Sequence, residues 1–163
     1  MIKKIIAAIA GLALAAPVNA ASWNDIETLV ELVKGTGTTV QARSCQRPGI
    51  QGFYHFNQEE GIDLMVVCTN TVDMEDADAV WEVVAHESVH VMQACNGGPV
   101  IRDTYLPRVI RELQTFTPHY WSLIQTYPDA HKRAEIEAFW METRPVEVPI
   151  QWIQDFCYQQ ADA

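Results

Sequence analysis

Apolar and polar positions follow more than one period along this chain. In residues 22–34, Ile26, Leu29, Val30 and Val33 recur at helical spacing. Ser22 or Asn24 can cap the start and Gly35 ends the run, which predicts a short amphipathic helix. Residues 38–68 read differently. Thr38–Arg43, Gly52–Phe56 and Ile62–Cys68 suit three short strands, separated by the turn signals Arg47-Pro48-Gly49 and Asn57–Gly61. Short turns between short strands predict an antiparallel meander. From Asn70 the pattern turns helical to Ala94, with Asp73, Glu75, Asp76 and Asp78 at its front, where acids offset the helix dipole. Asn96-Gly97-Gly98-Pro99 stops it. Residues 103–127 suit one or two helices, with Pro107 and Pro118 as starts or breaks. Asp129 can cap a helix reaching Thr143. Pro145 and Pro149 interrupt, and 150–159 forms a last short helix around Trp152, Ile153 and Phe156. The predicted class is α+β: a small antiparallel sheet, then a long helix and C-terminal helices.

The first 20 residues have another layout. Lys3 and Lys4 precede an uninterrupted apolar run, Ile5–Ala16, and Val18-Asn19-Ala20 resembles a cleavage site. This is the arrangement of a secretory signal peptide, cut after Ala20, and the run is too short for a membrane span of about 20 residues. The expected organisation is a signal peptide over 1–20 and one domain over 21–163, exported to the periplasm or outside the cell, with no stable membrane span once it is cut. Among 163 residues, 11 Lys and Arg face 21 Asp and Glu, a net charge of -10, and losing the two lysines takes the mature chain near -12. Such a balance disfavours a nucleic-acid partner, whose binding relies on basic faces. It would favour basic substrates only through a global field. Export also changes the meaning of Cys45, Cys68, Cys95 and Cys157. With no Cys-x-x-Cys pair for a zinc cage, four cysteines in an oxidising compartment suggest two disulfides. In a three-strand meander the first and third strands run the same way, which favours Cys45–Cys68 and leaves Cys95–Cys157.

Chemistry is concentrated in His86-Glu87-Ser88-Val89-His90. Two histidines at i and i+4 share one helix face, so two imidazoles can hold one metal ion. Glu87 lies a residue further round, where its carboxylate can take a proton from a water the metal activates. Val83–Ala85 and Val91-Met92 flank the motif with apolar residues. This resembles the zinc peptidases known as zincins. Their metzincin branch needs Gly and His where this chain has Gln93 and Asn96. An aspartate third ligand finds only Asp103, without the expected surroundings. Ala134-Glu135-Ile136-Glu137-Ala138 resembles the E-x-E-A segment of small gluzincins. That resemblance implies Glu135 as third zinc ligand, with Glu137 as the alternative. It also implies an acid four residues after the ligand to orient a histidine. Phe139 stands there instead, so a backbone carbonyl or Glu142 would have to serve.

Taken alone, Glu135 and Glu137 read as a solvated helix face pairing with Lys132 and Arg133. The resemblance further implies a sheet edge that pairs with an extended substrate. The strand Ile62–Val67 occupies that place in the sequence, and reads equally well as an ordinary core strand. Tyr105, His119, Tyr120 and His131 are candidate donors to a developing oxyanion, with His119 and Tyr120 more at home in an aromatic cluster. His55 reads as a surface strand residue. The combined expectation is an exported zinc metallopeptidase acting on a peptide or protein substrate, with His86, His90 and Glu135 on Zn2+ and Glu87 as general base. The alternative is an inactive zincin-like protein that binds a metal or a partner. Retention of Glu87 argues against it, since a metal carrier has no use for that carboxylate.

Overall fold

The computed structural model describes residues 20–159. The expected signal peptide therefore lies outside the described residues, apart from Ala20. The order is α1 (Trp23–Gly35), β1 (Thr39–Arg43), β2 (Gly52–Asn57), β3 (Ile62–Cys68), α2 (Ala77–Asn96), α3 (Leu106–Phe116), α4 (Pro118–Ile124), α5 (Asp129–Glu142), α6 (Glu147–Ile153) and a π-helical turn, Gln154–Tyr158. The α+β class holds, but the sheet is mixed rather than an antiparallel meander. Its strand order is β1-β3-β2, with β1 parallel to β3 and β2 antiparallel to it. Burial explains the order. Met65, Val66, Val67 and Cys68 are all buried, so β3 needs cover on both faces and takes the centre. The polar strand β1, Thr-Val-Gln-Ala-Arg, is largely exposed and suits an edge. β3 therefore has no free edge for a substrate, and of the two readings of Ile62–Val67 the ordinary core strand holds.

Both expected disulfides form, Cys45–Cys68 and Cys95–Cys157. The first does so because β1 and β3 are parallel neighbours, with Arg43 beside Cys68. Ser22 caps α1 in a reciprocal box with Asp25. α2 begins later than its acidic front suggested. Residues 71–76 form a turn in which Asp73 accepts from the Glu75 amide, and Asp76 caps the helix by accepting from the Asp78 and Ala79 amides. The 103–127 stretch is two helices, broken at Thr117-Pro118. Pro149 does not interrupt. It sits in the first turn of α6, where a missing N–H costs nothing. α2 is the spine of the molecule. It packs against α1, α5, α6 and the sheet, burying Val84, Ala85, Val89 and Met92 among others. No described helix is long and apolar enough to cross a membrane.

Candidate metal centre

The site lies on the seam between α2 and α5. His86 meets Glu142 while Gln93 meets Ala134 and Glu137, so the two helices run in opposite directions. Between those ends, Glu135 faces both histidines of the motif. Its carboxylate lies 3.3 Å from His86 Nε2 and 3.7 Å from His90 Nε2. The ligand atoms of His86, His90 and Glu135 all fall within 4.8 Å of one another, and the group could hold a metal ion. Glu135 Oε2 is buried without a hydrogen-bond partner, its nearest imidazole nitrogen being His86 Nε2 at 3.3 Å. A buried orphan acceptor costs free energy unless something positive meets it. Two imidazole nitrogens and a carboxylate are donors that fit zinc with an open coordination position.

The far nitrogen of each histidine is held. His86 Nδ1 lies 2.5 Å from Glu142 Oε1. A carboxylate only accepts, so Nδ1 carries the proton and Nε2 turns to Glu135. Glu142 thus supplies the acid that the resemblance places at position 139. Phe139 instead packs edge-on against the His86 ring, with centroids 4.7 Å apart. His90 Nδ1 lies 2.9 Å from Gln93 Oε1. The Gln93 amide donates at 3.0 Å to Glu137 Oε2 and at 3.2 Å to the Ala134 carbonyl. Both are acceptors, so the amide oxygen must face His90, and His90 Nδ1 must donate to it. Glu137 is not at the metal group. Fully buried, it also accepts from the Val100 and Ile101 amides and from Arg133 Nε. Asp103 is exposed on the surface and pairs with Arg133. The positioning role of Gln93 was missed in the sequence. Its one signal is a polar residue at i+3 from His90 in an otherwise apolar stretch.

Charge is strongly coupled here. Burial pulls the His86 imidazole down, but the Glu135 and Glu142 carboxylates and the Glu87 charge more than reverse this and push it up to about 10. Burial and the neighbouring His86 charge hold His90 below its ordinary value. Burial pushes Glu135 up, and the two histidines overcome it and hold the carboxyl low. Without metal, then, a proton on His86 supplies the positive charge between two carboxylates. Burial pushes Glu87 up to about 7, against the lowering effect of His86, with Glu135 and Glu142 adding to the rise. The backbone N–H of Tyr54 acts against that rise. Gly52 brings β2 close to Glu87. A Cβ there would stand 2.5 Å from Val83 Cγ1 and 3.2 Å from Glu87 Oε1.

A cavity of about 240 Å³ opens over His86 and Glu87, with the Gly49–Gly52 segment on one side and Tyr120, Leu123 and Tyr127 among its other walls. β2, an edge strand, is thus the strand beside the cavity. Of the candidate oxyanion donors, Tyr120 lines it, with its ring 5.0 Å from Phe139. Tyr105, His119 and His131 are exposed and do not line it, and His55 is exposed on its strand, as expected. Tyr127 was not anticipated. Burial and the charges of Glu135, Glu87 and Glu142 push its phenol up to about 12, so it remains a donor.

No curated protein and no solved structure matches this chain. A family model matches residues 22–158, the whole span from the α1 cap to the π-helical turn, and the chain accordingly belongs to that domain family of unknown function, DUF8637.

Proposed function

We propose that this chain is an exported zinc-dependent peptidase. The observation that carries the reading is the convergence of His86 Nε2, His90 Nε2 and an orphaned Glu135 oxygen beside an open cavity. Zinc bound there would supply a Lewis acid able to activate water at neutral pH. His86 and His90 would offer Nε2, each fixed by a partner on Nδ1. Glu87 stands next along α2, lines the same cavity and is nine-tenths buried. Its carboxylate would accept a proton from water and return it to a leaving amine. Tyr127, protonated and on the wall, would donate to the carbonyl oxygen as charge develops on it. The outer edge of β2 leaves backbone groups beside Glu87 for an extended peptide to pair with. Two disulfides fit an oxidising compartment. The periplasm or the exterior is the location proposed.

The test is zinc content with hydrolysis of a mixed peptide library, for the parent and Glu87→Gln. The expected result is about one zinc per chain in both, with hydrolysis by the parent and a loss on the order of a hundredfold to ten-thousandfold in the variant. A parent that takes up no zinc at neutral pH would overturn the reading. Zinc without hydrolysis in the parent would leave the metal group and favour the inactive scaffold.

A further inference from the structure

We propose that the chain is cut between Ala20 and Ala21 and that the ammonium group formed on Ala21 is bound by Asp78 at the start of α2. In the uncut chain the Ala21 amide already donates to Asp78 Oδ1 at 2.9 Å, across 57 positions of sequence. The neighbouring residue fixes its place. The Ser22 amide donates at 2.9 Å to Asp25 Oδ2, closing the capping box of α1, so the cut leaves a single residue ahead of the locked cap. Ala21 itself packs against the core. The nitrogen borders a cavity of about 280 Å³ whose wall includes Asp78, Glu82, Glu142 and Arg144. Three carboxylates against one guanidinium leave room for a cation. The sequence independently places the break here, since Lys3, Lys4, the Ile5–Ala16 run and Val18-Asn19-Ala20 all precede this bond.

The step consumes one water, delivered by a leader peptidase. The carbon–nitrogen bond between Ala20 and Ala21 breaks, Ala20 leaves as a carboxylate, and the Ala21 nitrogen gains protons to become an ammonium. A hydrogen bond from an uncharged amide to the Asp78 carboxylate becomes an ammonium–carboxylate ion pair, with two further N–H donors for the same cavity. Processing would thereby tie the new terminus to the helix that carries His86 and His90. Glu82 and Glu142, on this wall, also line the cavity over His86.

The experiment exports the full chain from a bacterial host and reads its intact mass. The mature chain is then compared with its Nα-acetylated form, in the parent and in Asp78→Asn. Acetylation keeps an N–H but removes the charge. The expected mass is that of a chain beginning at Ala21. Acetylation is expected to lower Tm by about 4 °C at pH 7 in the parent, and by much less in Asp78→Asn. A mature terminus at another residue would overturn the proposal. So would an acetylation effect that is absent, or equal in both backgrounds. With Tm measured in EDTA, none of these readouts depends on zinc, so this proposal and the peptidase reading can fail separately.

Discussion

Glu135 and Glu137 lie two residues apart on α5, both on the seam with α2, and the structure treats them in opposite ways. Glu137 is fully buried, and its two oxygens accept from Val100, Ile101, Gln93 and Arg133. Glu135 is less buried, faces two imidazoles near an open cavity, and keeps an oxygen with no partner. Depth alone would pick the wrong carboxylate as the functional one. A buried charge whose acceptors are all filled is part of the framework. A carboxylate left short of partners beside other ligand atoms is where something external can bind. Gln93 links the two carboxylate environments, with its NH2 on Glu137 and its oxygen on His90.

The sharpest way to break this contrast is to truncate each glutamate in turn. Glu135→Ala is expected to lose zinc from about one per chain to almost none while the circular dichroism spectrum and melting cooperativity persist. Glu137→Ala should do the reverse. It leaves two buried amides unpaired and takes from Arg133 its one buried carboxylate, and should cost about 3–5 kcal/mol by urea denaturation. Any zinc lost there should track the unfolded fraction. If Glu137→Ala melts like the parent but releases its zinc, the roles assigned here are exchanged.

Glu87 sharpens the comparison through pH. Its carboxyl rises to about 7 in the folded, metal-free protein, against about 4.5 unfolded. The folded state therefore holds the proton more tightly. Its stabilising contribution is full below about 4.5 and is lost as pH rises through 7. Glu87→Gln, a permanent neutral amide, should match the parent near pH 4.5 and exceed it by up to about 3 kcal/mol above pH 8 in EDTA. Parallel stability–pH curves for the two proteins would show that Glu87 is not a strained buried acid. A smaller effect is expected at the joint of the seam. Gln93→Met removes the acceptor that fixes His90 and should weaken zinc binding about 10–100-fold in a chelator competition, with little change in Tm. Long-range 15N correlations of the metal-free parent should show His90 protonated at Nδ1, and a mixed tautomer in Gln93→Met.

How much of this was legible in the sequence differs between the seam and the sheet. The seam is built from helices, where a face follows from spacing. His86, Glu87 and His90 could be set on α2 by counting, and Glu142 could be reached two turns beyond Glu135. The relay through Gln93 could not, because it depends on which residue of α5 lies opposite and on a carboxylate already occupied by the Val100–Ile101 amides. The sheet turned on a different kind of fact. Strand positions were readable from composition and turns, but strand order is a long-range choice. The unbroken burial of Met65–Cys68 against the polar run of β1 carried the signal for a central β3, and short connections argued misleadingly for a meander. The Cys45–Cys68 pairing survived that error because both topologies point β1 and β3 the same way.

The smallest expected effect concerns the outer end of the framework. Arg133 reaches inward to Glu137 through Nε at 3.0 Å and to the Ile101 carbonyl, and outward to Asp103 at 3.3 Å. Asp103 is almost wholly exposed, so solvent screens its attraction and the pair contributes little. The inner contacts alone should hold the guanidinium in place. Asp103→Ala is therefore expected to change stability by less than about 1 kcal/mol and to leave zinc stoichiometry at the parent's value. A large loss of stability would mean that the outer carboxylate, not the buried one, anchors Arg133. Loss of zinc would return Asp103 to candidacy as a ligand and remove the distinction between filled and unfilled carboxylates on which the assignment of Glu135 depends.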